Sequence, residues 1–120
     1  MLIFTLKKEW YEKIRSGEKT VEYREVKPYW TKRIAAEIAR NYPNENKKYC
    51  LAMTSIASRI GSSIEFKVGE CRLRLGYTDR YLSATVSKIE TVDGKCTDLR
   101  IDKPVYAIHL ENVRIHLESD

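Results

Sequence analysis

Apolar and polar positions follow two different periods along this chain, and the switches between them mark its elements. The apolar run at residues 2–6 predicts a first strand. Over 8–16 the period lengthens. Trp10 and Ile14 lie four apart, so a helix stacks them on one face with Tyr11 alongside. Ser16-Gly17 ends that helix, because glycine takes the left-handed conformation a helix C-cap needs. From 20 to 26 the period falls to two, which puts Thr20, Glu22 and Arg24 on one strand face and Val21 and Tyr23 on the other. Pro28-Tyr29-Trp30 opens a second helix, with Ile34, Ile38 and Tyr42 at four-residue spacing, Ala35 and Ala39 beside them, and Pro43 as its end. Lys32, Ala36 and Arg40, flanked by Arg33, give that helix a basic outer face.

Residues 44–63 carry no clear period, and their flanks, Pro43 and Gly61-Ser62-Ser63, predict a mobile flap. Strands follow. Ile64, Phe66 and Val68 alternate up to Gly69; Cys71, Leu73 and Leu75 come next, with Arg72 and Arg74 opposite; Leu82, Ala84 and Val86 succeed the turn at 76–79. Asp93-Gly94 is a strong turn signal. Tyr106, Ile108 and Leu110, then Val113, Ile115 and Leu117, predict a final pair of strands across Glu111-Asn112. Two early helices followed by many short strands predict an α+β fold, a small, partly closed β-barrel with two or so helices packed at its side. The 120 residues suffice for one core, so the expectation is a single domain over 1–120.

The run from Trp10 to Arg24, continuing to Pro28-Tyr29-Trp30, resembles the opening of ASCH domains, relatives of the PUA RNA-binding domain. The family pattern is an aromatic, an aliphatic, then Gly-x-Lys-Thr-x-Glu-x-Arg, met here by Gly17, Lys19, Thr20, Glu22 and Arg24. A second family-like stretch spans 71–78, a strand ending in Gly76-Tyr77. The resemblance covers most of the chain outside 43–63 and implies a PUA-like barrel. It also implies RNA binding or, as in some members, metal-independent hydrolysis, either as a ribonuclease or as an amidohydrolase that removes acyl groups from modified cytidine. In those amidohydrolases the lysine matching Lys19 is the activated group, a threonine nucleophile stands where this chain has Glu22, and a further acid takes part that the sequence does not place. Thr20, two residues earlier on the same predicted face, is the weaker hydroxyl candidate.

Composition narrows the partners. An apolar fraction of 42% with 32% charged residues is that of an ordered globular chain. No stretch has the apolar length of a membrane span, and the first six residues are too short and wrongly flanked for a signal peptide, so a cytoplasmic location is expected. Cys50, Cys71 and Cys96 are odd in number and lack the paired spacing of a zinc site, so neither metal nor organic cofactor is expected. The net charge of +5 is uneven: residues 1–50 hold 12 Lys/Arg against 7 Asp/Glu, whereas 51–120 hold 10 of each. All the excess lies in the half with the motif, where it attracts polyanions.

Lys19, Glu22 and Arg24 are the residues on which chemistry would rest. A lysine beside other cations in a dry cleft loses proton affinity and becomes a base or nucleophile; if charged, it holds a phosphate or an oxyanion. Glu22 is a base in a hydrolase and a neutralising partner in a binder, while the planar fork of Arg24 suits bidentate contact with phosphate or with Glu22. Lys19 and Glu22 are therefore the catalytic candidates. Lys19, Thr20, Glu22, Arg24, Lys32, Arg40 and Tyr77 are the candidates for binding RNA or a nucleotide-like ligand, Tyr77 as a ring on which a base stacks. A third expectation is an interaction module with a vestigial cleft. His109 and His116 read as ordinary strand residues, and Trp10 as core.

Overall fold

The computed structural model describes residues 1–41 and 63–116, with side chains for all of these but 63–68. The predicted flap at 44–63 lies outside the described residues apart from the backbone of Ser63. Among the described residues five strands and two α-helices follow in the order β1 (Leu2–Leu6), α1 (Lys8–Arg15), β2 (Val21–Glu25), α2 (Pro28–Asn41), β3 (Ser63–Leu75), β4 (Tyr81–Asp93) and β5 (Pro104–His116). The strands form one mixed sheet in the order β1-β3-β4-β5-β2, with β1 parallel to β3 and every other pair antiparallel. The architecture is thus α+β, a partly closed barrel with two helices.

Directly opposed residues share a face of a sheet, so the register defines the core. Leu2, Phe4 and Leu6 sit opposite Cys71, Leu73 and Leu75, and this row continues through Leu82 and Ala84 on β4. Ile89, Ile108 and Tyr106 extend the same inner face toward β2. All of these but Leu75, which is partly buried, are buried, and α1 caps them with Tyr11 and Ile14, α2 with Ile34 and Ile38. Trp30 stacks on Phe4 at 5.1 Å, and the Thr31 and Tyr106 hydroxyls lie 2.6 Å apart, which ties α2 to β1 and to β5.

The sheet's two edges, β1 and β2, are joined by a side chain instead of a ladder. Arg24 Nη2 donates to the Thr5 carbonyl at 3.2 Å, and its guanidinium lies 5.3 Å from both the Phe4 and the Trp30 ring. A guanidinium has five donors in a rigid plane and stacks on aromatic faces, so it suits a strand edge whose carbonyls lack partners.

Three sequence expectations change. The two strands predicted over 64–75 are one strand, whose pairing with β4 shifts between Glu65 and Gly69. The strand predicted at 82–86 runs on to Asp93. The closing hairpin across Glu111-Asn112 does not form: β5 continues through it to His116. Asn112 takes a positive φ of 52°, and the pairing with β4 shifts between Ser83 and Thr85, so the residue absorbs a bulge instead of turning the chain. The end of α1 is as expected, with Gly17 at a φ of 84° and its N–H on the Ile14 carbonyl.

Candidate functional site

Lys19 reaches its position through the end of α1. The left-handed Gly17 turns the chain back, and the Lys19 N–H donates to the Lys13 carbonyl at 2.9 Å. Its side chain then crosses the mouth of the barrel, where only a tenth of it remains exposed. Nζ pairs with Asp98 Oδ2, lies 3.7 Å from Glu22 Oε1, and sits 4.7 Å and 5.2 Å from the Trp10 and Tyr23 ring centres. Two carboxylates and two aromatic faces therefore surround one ammonium group.

Glu22 and Arg24 lie on the inner face of β2, opposite the buried Ile108 and Tyr106. This makes the polar face of β2 its core-facing one, while Val21 and Tyr23 are half-buried on the other face and line the cleft. Glu22 is 5% exposed. Its Oε1 accepts from the Tyr23 N–H at 2.9 Å; its Oε2 lies 3.6 Å from Arg24 Nη2 and, like the equally buried Arg24 Nε, has no hydrogen-bond partner among the described residues. Burial pushes the Glu22 carboxyl above the usual range, and the nearby charges of Arg24 and Lys19 do not bring it back. The Tyr23 hydroxyl is raised as well, by burial and by the charges of Asp98, Glu90 and Glu22.

Asp98 was not singled out by the sequence. It belongs to the loop after β4, where Asp93 caps the Lys95 N–H at 3.0 Å and the Thr97 hydroxyl donates to the Gly94 carbonyl at 2.9 Å. Gly94 is buried against the Lys103 and Ile101 carbonyls, which an added Cβ would meet at 2.5 and 2.6 Å. The Asp93-Gly94 turn signal marked this loop, but nothing in local spacing ties Asp98 to a lysine 79 residues away.

These groups line two adjoining hollows. A cleft of about 660 Å³ is bounded by Trp10, Lys13, Lys19, Tyr23, Asp98 and Arg100. A hollow of about 260 Å³ shares Trp10, Lys19, Tyr23 and Asp98 and reaches Glu22 and Arg24. Trp10, expected in the core, is half-buried and forms a wall of both. Thr20 is exposed at the larger cleft's rim, and Cys96 is exposed on its border. Cations exceed anions in the larger cleft, Lys13, Lys19 and Arg100 against Glu18 and Asp98.

The other candidates lie elsewhere. Lys32 is exposed on α2 beside Val26, Pro28 and Thr31. Arg40 pairs with Glu37 at 2.6 Å. Tyr77 is 93% exposed in the turn between β3 and β4. Among the described residues, no helix is long and apolar enough to cross a membrane, and no cluster of three His, Cys, Asp or Glu side chains has the arrangement to hold a metal. No family model, curated protein or solved structure matches the chain.

Proposed function

We propose that this chain is an ASCH-like domain with a PUA-like barrel, located in the cytoplasm, whose cleft binds RNA or a nucleotide-like ligand. The observation that carries this reading is the cleft of about 660 Å³, walled by the Trp10 and Tyr23 rings and lined by more cations than anions. Trp10 and Tyr23 supply ring faces at the entrance, and Lys13 and Arg100 lie where a phosphate would emerge. Lys19, already neutralised by Asp98, holds the walls together as much as it attracts an anion.

Calorimetric titration of mononucleotides and short single-stranded RNAs tests this. Saturable binding that Lys19→Met weakens and Lys32→Met spares is the expected result. Equal behaviour of the two variants in folded protein would make the motif a charged strand end and no more.

A second reading, metal-independent hydrolysis of RNA or of an acylated cytidine, is favoured by the placement of one cation between Asp98 and a carboxyl whose neutral form is stabilised by burial. That arrangement offers a proton donor and an acceptor within one site, beside the Thr20 hydroxyl. Incubation with RNA and with acylated cytidine in excess chelator separates the readings. A binder carrying Glu22→Gln keeps its affinity, whereas a hydrolase using Glu22 loses turnover while still binding.

A further inference from the structure

The sheet has a second charged surface, on the outer face and away from the cleft. Two rows of directly opposed residues cross it: Ile3, Arg72, Ser83 and Arg114, then Thr5, Arg74, Tyr81 and His116. These eight residues include three arginines and no acid. Glu70 and Glu111 lie on the neighbouring row, opposite Thr85, and mark its border. Among the described residues only Arg114 has a carboxylate partner, Glu70 at 3.0 Å, with both side chains at least half exposed. Arg72 is exposed and Arg74 half-buried, each without an ion pair among the described residues. Ser83 is 3% exposed although it faces outward, so the neighbouring side chains roof it over.

The aromatic groups here are ordered as a ladder. Tyr81 stacks on His116 with ring centres 4.8 Å apart and planes 10° from parallel, and the Arg72 guanidinium lies 4.6 Å from the Tyr81 ring centre. His116 Nε2 is buried and has no hydrogen-bond partner among the described residues. The turn leaving this face carries the almost fully exposed Tyr77, and Arg74 Nη2 reaches the Thr78 carbonyl of the same turn at 3.4 Å. Strand rise puts Arg72 and Arg74 about 7 Å apart, and strand spacing puts Arg114 about 10 Å from Arg72.

We infer that this outer face is a second nucleic-acid contact surface, on which Arg72, Arg74 and Arg114 hold the phosphates of a single strand while its bases stack on the Arg72–Tyr81–His116 ladder and on Tyr77. Charge complementarity selects a polyanion, and planar groups offered edge to edge with guanidinium forks select one that carries bases. The surface shares its nucleic-acid partner with the cleft reading but none of its residues, so each stands or falls alone.

Fluorescence anisotropy of a labelled oligouridylate over a salt series tests it. Arg72→Gln/Arg74→Gln/Arg114→Gln should weaken binding about tenfold or more and flatten the log–log salt slope by about 2, since each single-strand phosphate contact contributes about 0.7. Lys27→Gln/Lys95→Gln/Lys103→Gln removes the same charge elsewhere and should leave the slope nearly unchanged. An abasic strand of equal length should bind about tenfold more weakly than the oligouridylate. Equal losses in the two triple variants, equal affinity for the abasic strand, or no binding by the wild-type protein would overturn the inference. So would light scattering showing that the arginine variant abolishes a dimer, which would make the face a contact between copies of this chain. Lys19→Met separates the two sites: loss of binding there with the arginine variant unaffected overturns the outer surface and keeps the cleft.

Discussion

Arg24→Met probes how the barrel is closed. Methionine keeps an apolar stem of similar length while removing the guanidinium, so the perturbation is to charge and hydrogen bonding. Two ring contacts at 5.3 Å are lost, each worth about 0.5–1 kcal/mol at a partly exposed site. The donor to the Thr5 carbonyl goes as well, a charged hydrogen bond worth about 1.5 kcal/mol. Among the described residues Glu22 then keeps only Lys19, at 3.7 Å, as a facing cation. Stranding a buried charge costs about 3–5 kcal/mol when the pair is tight. Here the contact is loose at 3.6 Å and Arg24 is about a quarter exposed, so the upper end is not reached. These effects overlap, and about 3 kcal/mol of destabilisation at neutral pH is expected.

The refuting comparison is a double-mutant cycle with Glu22→Gln, which has no charge to strand. In that background the ring contacts and the Thr5 hydrogen bond are still lost, so Arg24→Met should cost about 2–2.5 kcal/mol, leaving a coupling of about 0.5–1 kcal/mol. Urea unfolding followed by tryptophan fluorescence is the assay, because Trp30 stacks on Phe4 beside the substituted side chain. Equal costs in the two backgrounds would show that Glu22 does not depend on Arg24. A cost below about 0.5 kcal/mol would show that the clasp contributes no more than an ordinary surface residue.

Glu22 has a folded-state pKa above its ordinary value, so stability tied to its neutral form is present at acid pH and lost as pH rises through the raised value. Glu22→Gln should therefore have a higher Tm than wild type at neutral pH, with the gap narrowing as pH falls from the raised value toward the ordinary 4.5 and constant below it; a constant gap across that window would refute this. Gly94→Ala drives a methyl group into two backbone carbonyls and should cost about 2–4 kcal/mol by urea unfolding, with amide exchange rising first around residue 98; an unchanged midpoint would count against the loop's rigidity. Lys19→Met should keep the fold and weaken ligand binding by about 1–3 kcal/mol, with Lys32→Met near wild type by calorimetry.

Much of the fold was legible because its period is unbroken. β1, α1, β2 and α2 start and stop within about two residues of the switches in pattern, as such boundaries do. The long strands were harder, since a bulge breaks the period of two without ending the strand, and Glu111-Asn112 looks the same in sequence whether Asn112 turns a hairpin or relieves a bulge. The motif was legible as a cluster, and the structure does bring Lys19, Glu22 and Arg24 together. Its orientation was not. Alternation places Glu22 and Arg24 on the polar face, and polarity alone points that face toward water. They turn inward because the rings of Phe4 and Trp30 receive the guanidinium and the guanidinium faces the carboxylate. Asp98 was invisible because its partner is remote in sequence.

The inward turn follows from the width of the sheet. Among the described residues β1 and β2 are the edges of the sheet, and each leaves backbone groups that no described strand pairs. A cation that reaches across from β2 to a β1 carbonyl joins those edges, but it brings a charge into the seam and so calls for an anion there. Glu22 is that anion, and Lys19 and Asp98 extend the alternation of charge outward along the barrel mouth. Such a chain of pairs ends somewhere, and at its inner end one oxygen of Glu22 and one nitrogen of Arg24 have no hydrogen-bond partner among the described residues. A ladder of backbone hydrogen bonds would have left neither the hollow nor the unmet valences. The partial closure of the barrel and the polarity of the cleft are therefore one feature, and substitutions that tighten the seam should raise stability by urea unfolding.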